Sequence, residues 1–90
     1  MEITDIRIRK LSEDSKMRAI VSVTFDDELV IHDIKIIEST DKVFLAMPSR
    51  RLLNGTYSDI AHPTKKELRS KIESAVFQEF ERYKQGDFEN

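Results

Sequence analysis

Apolar and polar residues alternate along the first half of the chain, and the period changes after Pro63. Residues Ile3 to Lys10 place Thr4, Ile6 and Ile8 on one face of a strand and Asp5, Arg7 and Arg9 on the other. Met17 to Phe25 puts Met17, Ala19, Val21, Val23 and Phe25 on one face, with Arg18, Ser22, Thr24 and Ile20 opposite. Leu29 to Ile37 is rich in β-branched residues and carries apolar side chains on both faces, as expected of a central or interfacial strand. Val43 to Met47 is a short apolar strand stopped by Pro48. The breaks are polar: Ser12 to Ser15, Asp26-Asp27 and Glu38 to Asp41 read as turns. Ser49 to Tyr57 reads as a loop holding Arg50-Arg51 and the turn pair Asn54-Gly55, and Tyr57 to Ala61 as one more short strand.

Past Pro63 the spacing becomes helical. Leu68, Ile72, Ala75, Val76, Phe80 and Tyr83 recur on one stripe of a helix predicted from about Lys65 to Lys84. Thr64 and Glu67 have the spacing of a capping box, and Gly86 is a stop signal. The prediction is an α+β domain, an antiparallel meander of about five strands followed by one C-terminal amphipathic helix. Residues 1–86 form the domain and 87–90 a frayed tail. A single helix covers only one face of such a sheet, which argues for a homodimer.

Composition narrows the chemistry. With no cysteine there is no disulfide framework or thiolate metal site. The start lacks the basic and apolar stretches of a signal peptide, and no apolar run reaches membrane length, so a cytoplasmic protein without membrane insertion is expected. The histidines are His32 and His62, far apart in sequence, a poor basis for a metal site. The glycines are Gly55 and Gly86, so neither a glycine-rich phosphate loop nor a Gly-x-Ser-x-Gly elbow exists. No cofactor, catalytic residue or small-molecule substrate is expected.

Charge is what points somewhere. Residues 1–49 carry seven basic and ten acidic side chains, residues 72–90 two and five, and each segment sums to −3. Between them, residues 50–71 hold six basic side chains against Asp59 and Glu67, a local +4 within a chain of net −2. Arg50 and Arg51 fall in the loop, and Lys65, Lys66 and Arg69 in the first turns of the helix. Cations there oppose the helix dipole at about 0.3–1 kcal/mol each, while the free N–H groups of the same helix end favour phosphate oxygens. Most lysine and arginine on a helix face is merely solvated, and Lys71 has the spacing to pair with Glu67. Phe77, Phe80 and Tyr83 read as core rather than stacking platforms.

Several stretches resemble a known family: Met1-Glu-Ile-Thr-Asp-Ile-Arg7, Met17-Arg-Ala-Ile20, His32-Asp-Ile-Lys-Ile-Ile37, Phe44-Leu-Ala-Met-Pro-Ser-Arg-Arg51 and Asp59-Ile-Ala-His-Pro63. They are similar to the bacterial septation-protein family of stage V sporulation protein G, SpoVG, over nearly the whole chain up to the helix. The resemblance implies a cytoplasmic, non-enzymatic regulator of asymmetric septation in sporulation, or of surface-polymer and virulence genes elsewhere. It also implies a homodimer that binds DNA, and in some members RNA, through basic residues around the helix. The matching positions here are Arg50, Arg51, Lys65, Lys66 and Arg69; the arginine pair falls where the family is usually basic, the lysine pair where it varies. The expected function is therefore a homodimeric nucleic-acid-binding regulator. The alternative is a protein-interaction module that regulates septum assembly without direct nucleic-acid contact.

Overall fold

The computed structural model describes residues 1–11 and 16–84. Six strands precede one helix: β1 (Ile3–Leu11), β2 (Met17–Phe25), β3 (Leu29–Glu38), β4 (Val43–Ala46), β5 (Ser49–Arg51), β6 (Tyr57–Asp59) and α1 (Lys66–Lys84). The first four form one antiparallel sheet in the order β1-β2-β3-β4, and β5 and β6 pair separately as a two-stranded ribbon. The fold is the predicted α+β arrangement of meander and C-terminal helix. The expected turn at Ser12 to Ser15, the stop at Gly86 and the tail 87–90 lie outside the described residues.

The core is a single layer of side chains between the four-stranded sheet and the helix. Ile72, Val76 and Phe80 recur at intervals of four on one helix stripe and are buried against Ala19, Val21, Val23, Phe25, Ile34, Ile36, Leu45 and Met47. Val21, Val23, Ile34, Ile36 and Val76 retain no exposed surface.

Simple alternation would not put all of these residues on one face. In β3, Leu29 and Ile31 fall on odd positions and Ile34 and Ile36 on even ones. The register resolves this with a bulge. Val23 pairs with Ile31 and Val21 with Ile34, so Ser22 stands opposite two residues, His32 and Asp33. Asp33 takes up the extra length at φ 66°, in the left-handed region that Asp tolerates better than most residues. The predicted two-sided strand is thus a one-sided strand whose parity flips at its centre. Further shifts at Thr4, Arg9 and Arg18 do the same in β1 and β2. The shift at Thr4 brings Ile3 opposite Phe25, on the core side with Ile6 and Ile8, and leaves Thr4 exposed.

The β2–β3 connection is three residues, Asp26 to Glu28, and holds a turn closed by Glu28 N–H donating to Phe25 O at 2.9 Å. Asp26 and Asp27 both have positive φ, 54° and 55°, the mirror-image turn that matches strand twist. Neither is glycine, so the turn is strained, and the N-terminus braces it. Asp26 N–H donates to Glu2 O (2.8 Å), Glu2 N–H to Asp26 Oδ1 (3.0 Å) and Asp27 N–H to Thr4 Oγ1 (2.9 Å).

Among the described residues one helix covers one face of the sheet, and no element covers the opposite face. Cross-strand pairing places Met17, Ile37 and Phe44 in one row across three strands of that face, next to a row of Ile20, Lys35 and Ala46. Phe44 is 39% exposed and Val30, on the same face, 43%.

Left-handed backbone costs a non-glycine residue about 1–2 kcal/mol. Asp27→Gly keeps the backbone bond to Thr4 and should raise stability by about 0.5–1 kcal/mol in urea denaturation. A loss of stability would show instead that the Asp27 side chain supports the turn.

Candidate nucleic-acid interface

Arg50 and Arg51 do not lie in a loop. They belong to β5, whose register with β6 pairs Ser49 with Asp59, Arg50 with Ser58 and Arg51 with Tyr57. The apolar signal that marks the other strands is missing here because all six residues are exposed, so neither face of the ribbon packs on the core. The ribbon is held by its own hydrogen bonds. At its base Ile60 N–H donates to Pro48 O (2.7 Å), and near its tip Leu52 N–H donates to Thr56 O (2.7 Å).

The tip is a tight three-residue loop. Gly55 N–H donates to Leu52 O (3.0 Å), and Gly55 sits at φ 89°, the pattern of a turn followed by a left-handed residue. A Cβ at Gly55 would meet nothing within 4 Å, so glycine is needed there for its dihedral angle and not for space. Asn54 Oδ1 accepts from both Thr56 N–H (3.0 Å) and Thr56 Oγ1–H (2.7 Å). Leu53 is carried fully exposed at the end of this braced loop, and Tyr57 is 69% exposed beside Arg51.

The second basic group opens the helix. Arg69 N–H donates to Lys65 O at 3.1 Å, so Lys65 contributes the first helical carbonyl and α1 begins at Lys66. This start lies one residue beyond the predicted start at Lys65, and among the described residues Thr64 and Glu67 do not exchange capping-box bonds. Lys65 and Lys66 are exposed at the positive end of the dipole. The six-residue segment 60–65 joins ribbon to helix, and in it His62 Nδ1 lies 3.1 Å from Pro63 O.

Ion pairing sorts the basic residues. Arg69 Nε lies 3.4 Å from Glu73 Oε2, one turn along the same helix. Lys71 does not pair with Glu67 as its spacing suggested. Its Nζ donates to Met1 O (3.0 Å) and lies 3.9 Å from Glu2 Oε2, pinning the N-terminus to the helix. Among the described residues Arg50, Arg51, Lys65 and Lys66 form no ion pair. The structure thus divides the five expected contact residues between two elements: a ribbon bearing two unpaired arginines, and a helix start bearing two unpaired lysines and one paired arginine.

Elsewhere the chemistry is sparse. A groove of about 390 Å³ between β3 and the helix is apolar apart from His62, with Met47, Ile60, Leu68 and Ile72 in its walls. His32 Nδ1 and the buried Ser22 hydroxyl are 2.8 Å apart on the outer sheet face. Among the described residues no group of three or more His, Asp or Glu is placed to hold a metal ion, and no helix is long and apolar enough to cross a membrane.

Sequence reasoning missed Leu53 and Tyr57. A signal for Leu53 existed, since a leucine directly before Asn54-Gly55 sits at a hairpin tip once residues 49–51 and 57–59 are paired.

Fold and site together define a small α+β protein, a helix-backed antiparallel meander from which a cationic β-ribbon extends. The SpoVG family model matches residues 1–82, and the chain belongs to that family. Proteins named "Putative septation protein SpoVG" are similar along nearly their whole length. That of Thermoanaerobacter sp. (strain X514) is 54% identical over 94% of this chain and 92% of its own. That of Acetivibrio thermocellus is 57% identical over 90% and 86%. That of Clostridium acetobutylicum is 55% identical over 93% and 88%.

Lys71→Met should release the N-terminus without unfolding the domain. Both partners are substantially exposed, so the expected loss is under about 1 kcal/mol in a urea melt. Amide hydrogen exchange at Glu2 and Asp26 should accelerate; unchanged exchange there would show that the hairpin bonds hold the terminus alone.

Proposed function

We propose that the protein is a non-enzymatic regulator of septation and gene expression that binds nucleic acid as a homodimer. Arg50, Arg51, Lys65, Lys66 and Arg69 supply the contact surface. The observation that carries this reading is the set of four exposed cations, Arg50, Arg51, Lys65 and Lys66, without ion-pair partners among the described residues. They stand in a chain whose other segments are acidic. Phosphate contacts release counterions, and unpaired cations lose no internal partner when they bind. The free N–H groups at the start of α1 favour the same ligand. Membership of a family whose curated relatives carry septation names supports the cellular role.

The homodimer reading rests on the uncovered sheet face. A second copy laid over Met17, Ile20, Ile37 and Phe44 would cover side chains that α1, on the other side of the sheet, does not reach. It would also present two ribbons to one ligand.

Two experiments test these readings. In electrophoretic mobility shifts on duplex DNA over a salt series, affinity should fall steeply with salt. The double variant Arg50→Ala/Arg51→Ala should bind more weakly, with the salt slope reduced by about one per arginine lost. Binding and slope equal to wild type would reject the arginine pair as part of the site. In sedimentation equilibrium the wild type should run as a dimer and Phe44→Lys as a monomer; a Phe44→Lys dimer would place the interface elsewhere.

A further inference from the structure

Both faces of the β5–β6 ribbon carry an unpaired cation, and its tip carries a bare leucine. Residues directly opposite each other share a face and successive pairs alternate, so Arg51 and Tyr57 lie on one face and Arg50 and Ser58 on the other. A strand docked on a flat protein surface would use one face. A ribbon set into a groove of duplex DNA meets a phosphate backbone on each side. We propose that the ribbon enters the major groove of duplex DNA tip first, with Leu53 against base edges on the floor and Arg50 and Arg51 on the phosphates of opposite walls. This rests on the nucleic-acid reading above and adds the mode of entry and the kind of duplex.

The dimensions agree. The major groove is about 12 Å wide and about 8.5 Å deep and admits a two-stranded ribbon. At about 3.3 Å per residue, Arg51 and Arg50 lie about 7 and 10 Å behind Leu53, the height of the phosphates when the tip reaches the floor. The bonds from Gly55 to Leu52, Leu52 to Thr56 and Thr56 to Asn54 hold the tip in shape, so little order has to be gained on binding. A single exposed leucine is ordinary on a protein surface. This one differs in standing on a braced tip just beyond two unpaired arginines, where the apolar group it can meet in the groove is the thymine methyl. The A-form major groove is deep and too narrow to be read by side chains, so duplex RNA should not accept the ribbon.

The test uses the full chain and three duplexes of one A·T-rich sequence: DNA, the same DNA with uracil for thymine, and RNA. Wild type should bind the thymine duplex best, losing about fourfold for each methyl contact removed, and bind duplex RNA weakest. Leu53→Ala touches no core residue and should fold normally. It should bind thymine DNA about tenfold more weakly, cease to distinguish thymine from uracil, and keep the wild-type salt slope. Equal wild-type affinity for thymine and uracil DNA, equal affinity for duplex RNA, or unchanged binding by Leu53→Ala would overturn the arm. The nucleic-acid reading would survive if Arg50→Ala/Arg51→Ala still lost affinity. Failure of wild type to bind any duplex at low salt would remove both readings. A change in sedimenting mass of Leu53→Ala without DNA would assign the tip to contact between copies and reject the arm.

Discussion

The structure depends on one packing contact: Ile72, Val76 and Phe80 of the helix pressed into the face formed by β2, β3 and β4. A domain of this length has only one thin layer of core, and each apolar side chain in it must face inward. Strands that alternate strictly would send half of β3 to the wrong side. The sheet meets the constraint by spending residues on bulges. His32 and Asp33 share one position opposite Ser22, and single-residue shifts fall at Thr4, Arg9 and Arg18. The residues given up to these irregularities are polar, and they meet polar partners within the chain: Thr4 at Asp27 and Thr24, Arg9 beside Asp33, Arg18 beside Glu38 and His32 at Ser22.

The same contact decides what remains outside. One helix covers one face, so Met17, Ile37 and Phe44 stay on the other with Lys42 Nζ 5.7 Å from the Phe44 ring. It also ends the core at Met47, because the helix begins only at Lys66 and the intervening chain must turn back to reach it. Residues 49–59 use that return as a hairpin with no interior of its own. A ribbon of that kind persists through backbone bonds and turn chemistry, and its side chains are left available for a ligand.

The two ends of the chain's charge pattern have different uses. Arg69 and Lys71 are absorbed by the fold, the first by Glu73 and the second by Met1 and Glu2, where it ties the terminus that braces the strained Asp26-Asp27 turn. Arg50, Arg51, Lys65 and Lys66 are not absorbed. The basic segment that looked uniform in sequence is therefore part scaffold and part surface.

From sequence alone, the meander, the helix and its buried stripe were legible, because period 2 and period 3.6 are local signals and the Val21, Val23, Phe25 and Ile72, Val76, Phe80 series follow them closely. The family resemblance was legible too, in Ala46 to Ser49 and Asp59 to Pro63. Three features were not. The parity flip in β3 looked like two apolar faces, since a bulge is defined by the partner strand and not by the strand that contains it. The first strand of the ribbon looked like a loop, although its second was read as a short strand from Tyr57, because pairing between exposed residues leaves no hydrophobic trace. The partner of Lys71 was sought at Glu67, four residues away, and found at the N-terminus, seventy residues away, because only the folded chain brings β1 alongside the helix. Local periodicity marked the inward residues between the bulges, and cross-strand register decided where that pattern changes side. Long-range pairing, which no local pattern encodes, decided which of the outward ones remained unpaired.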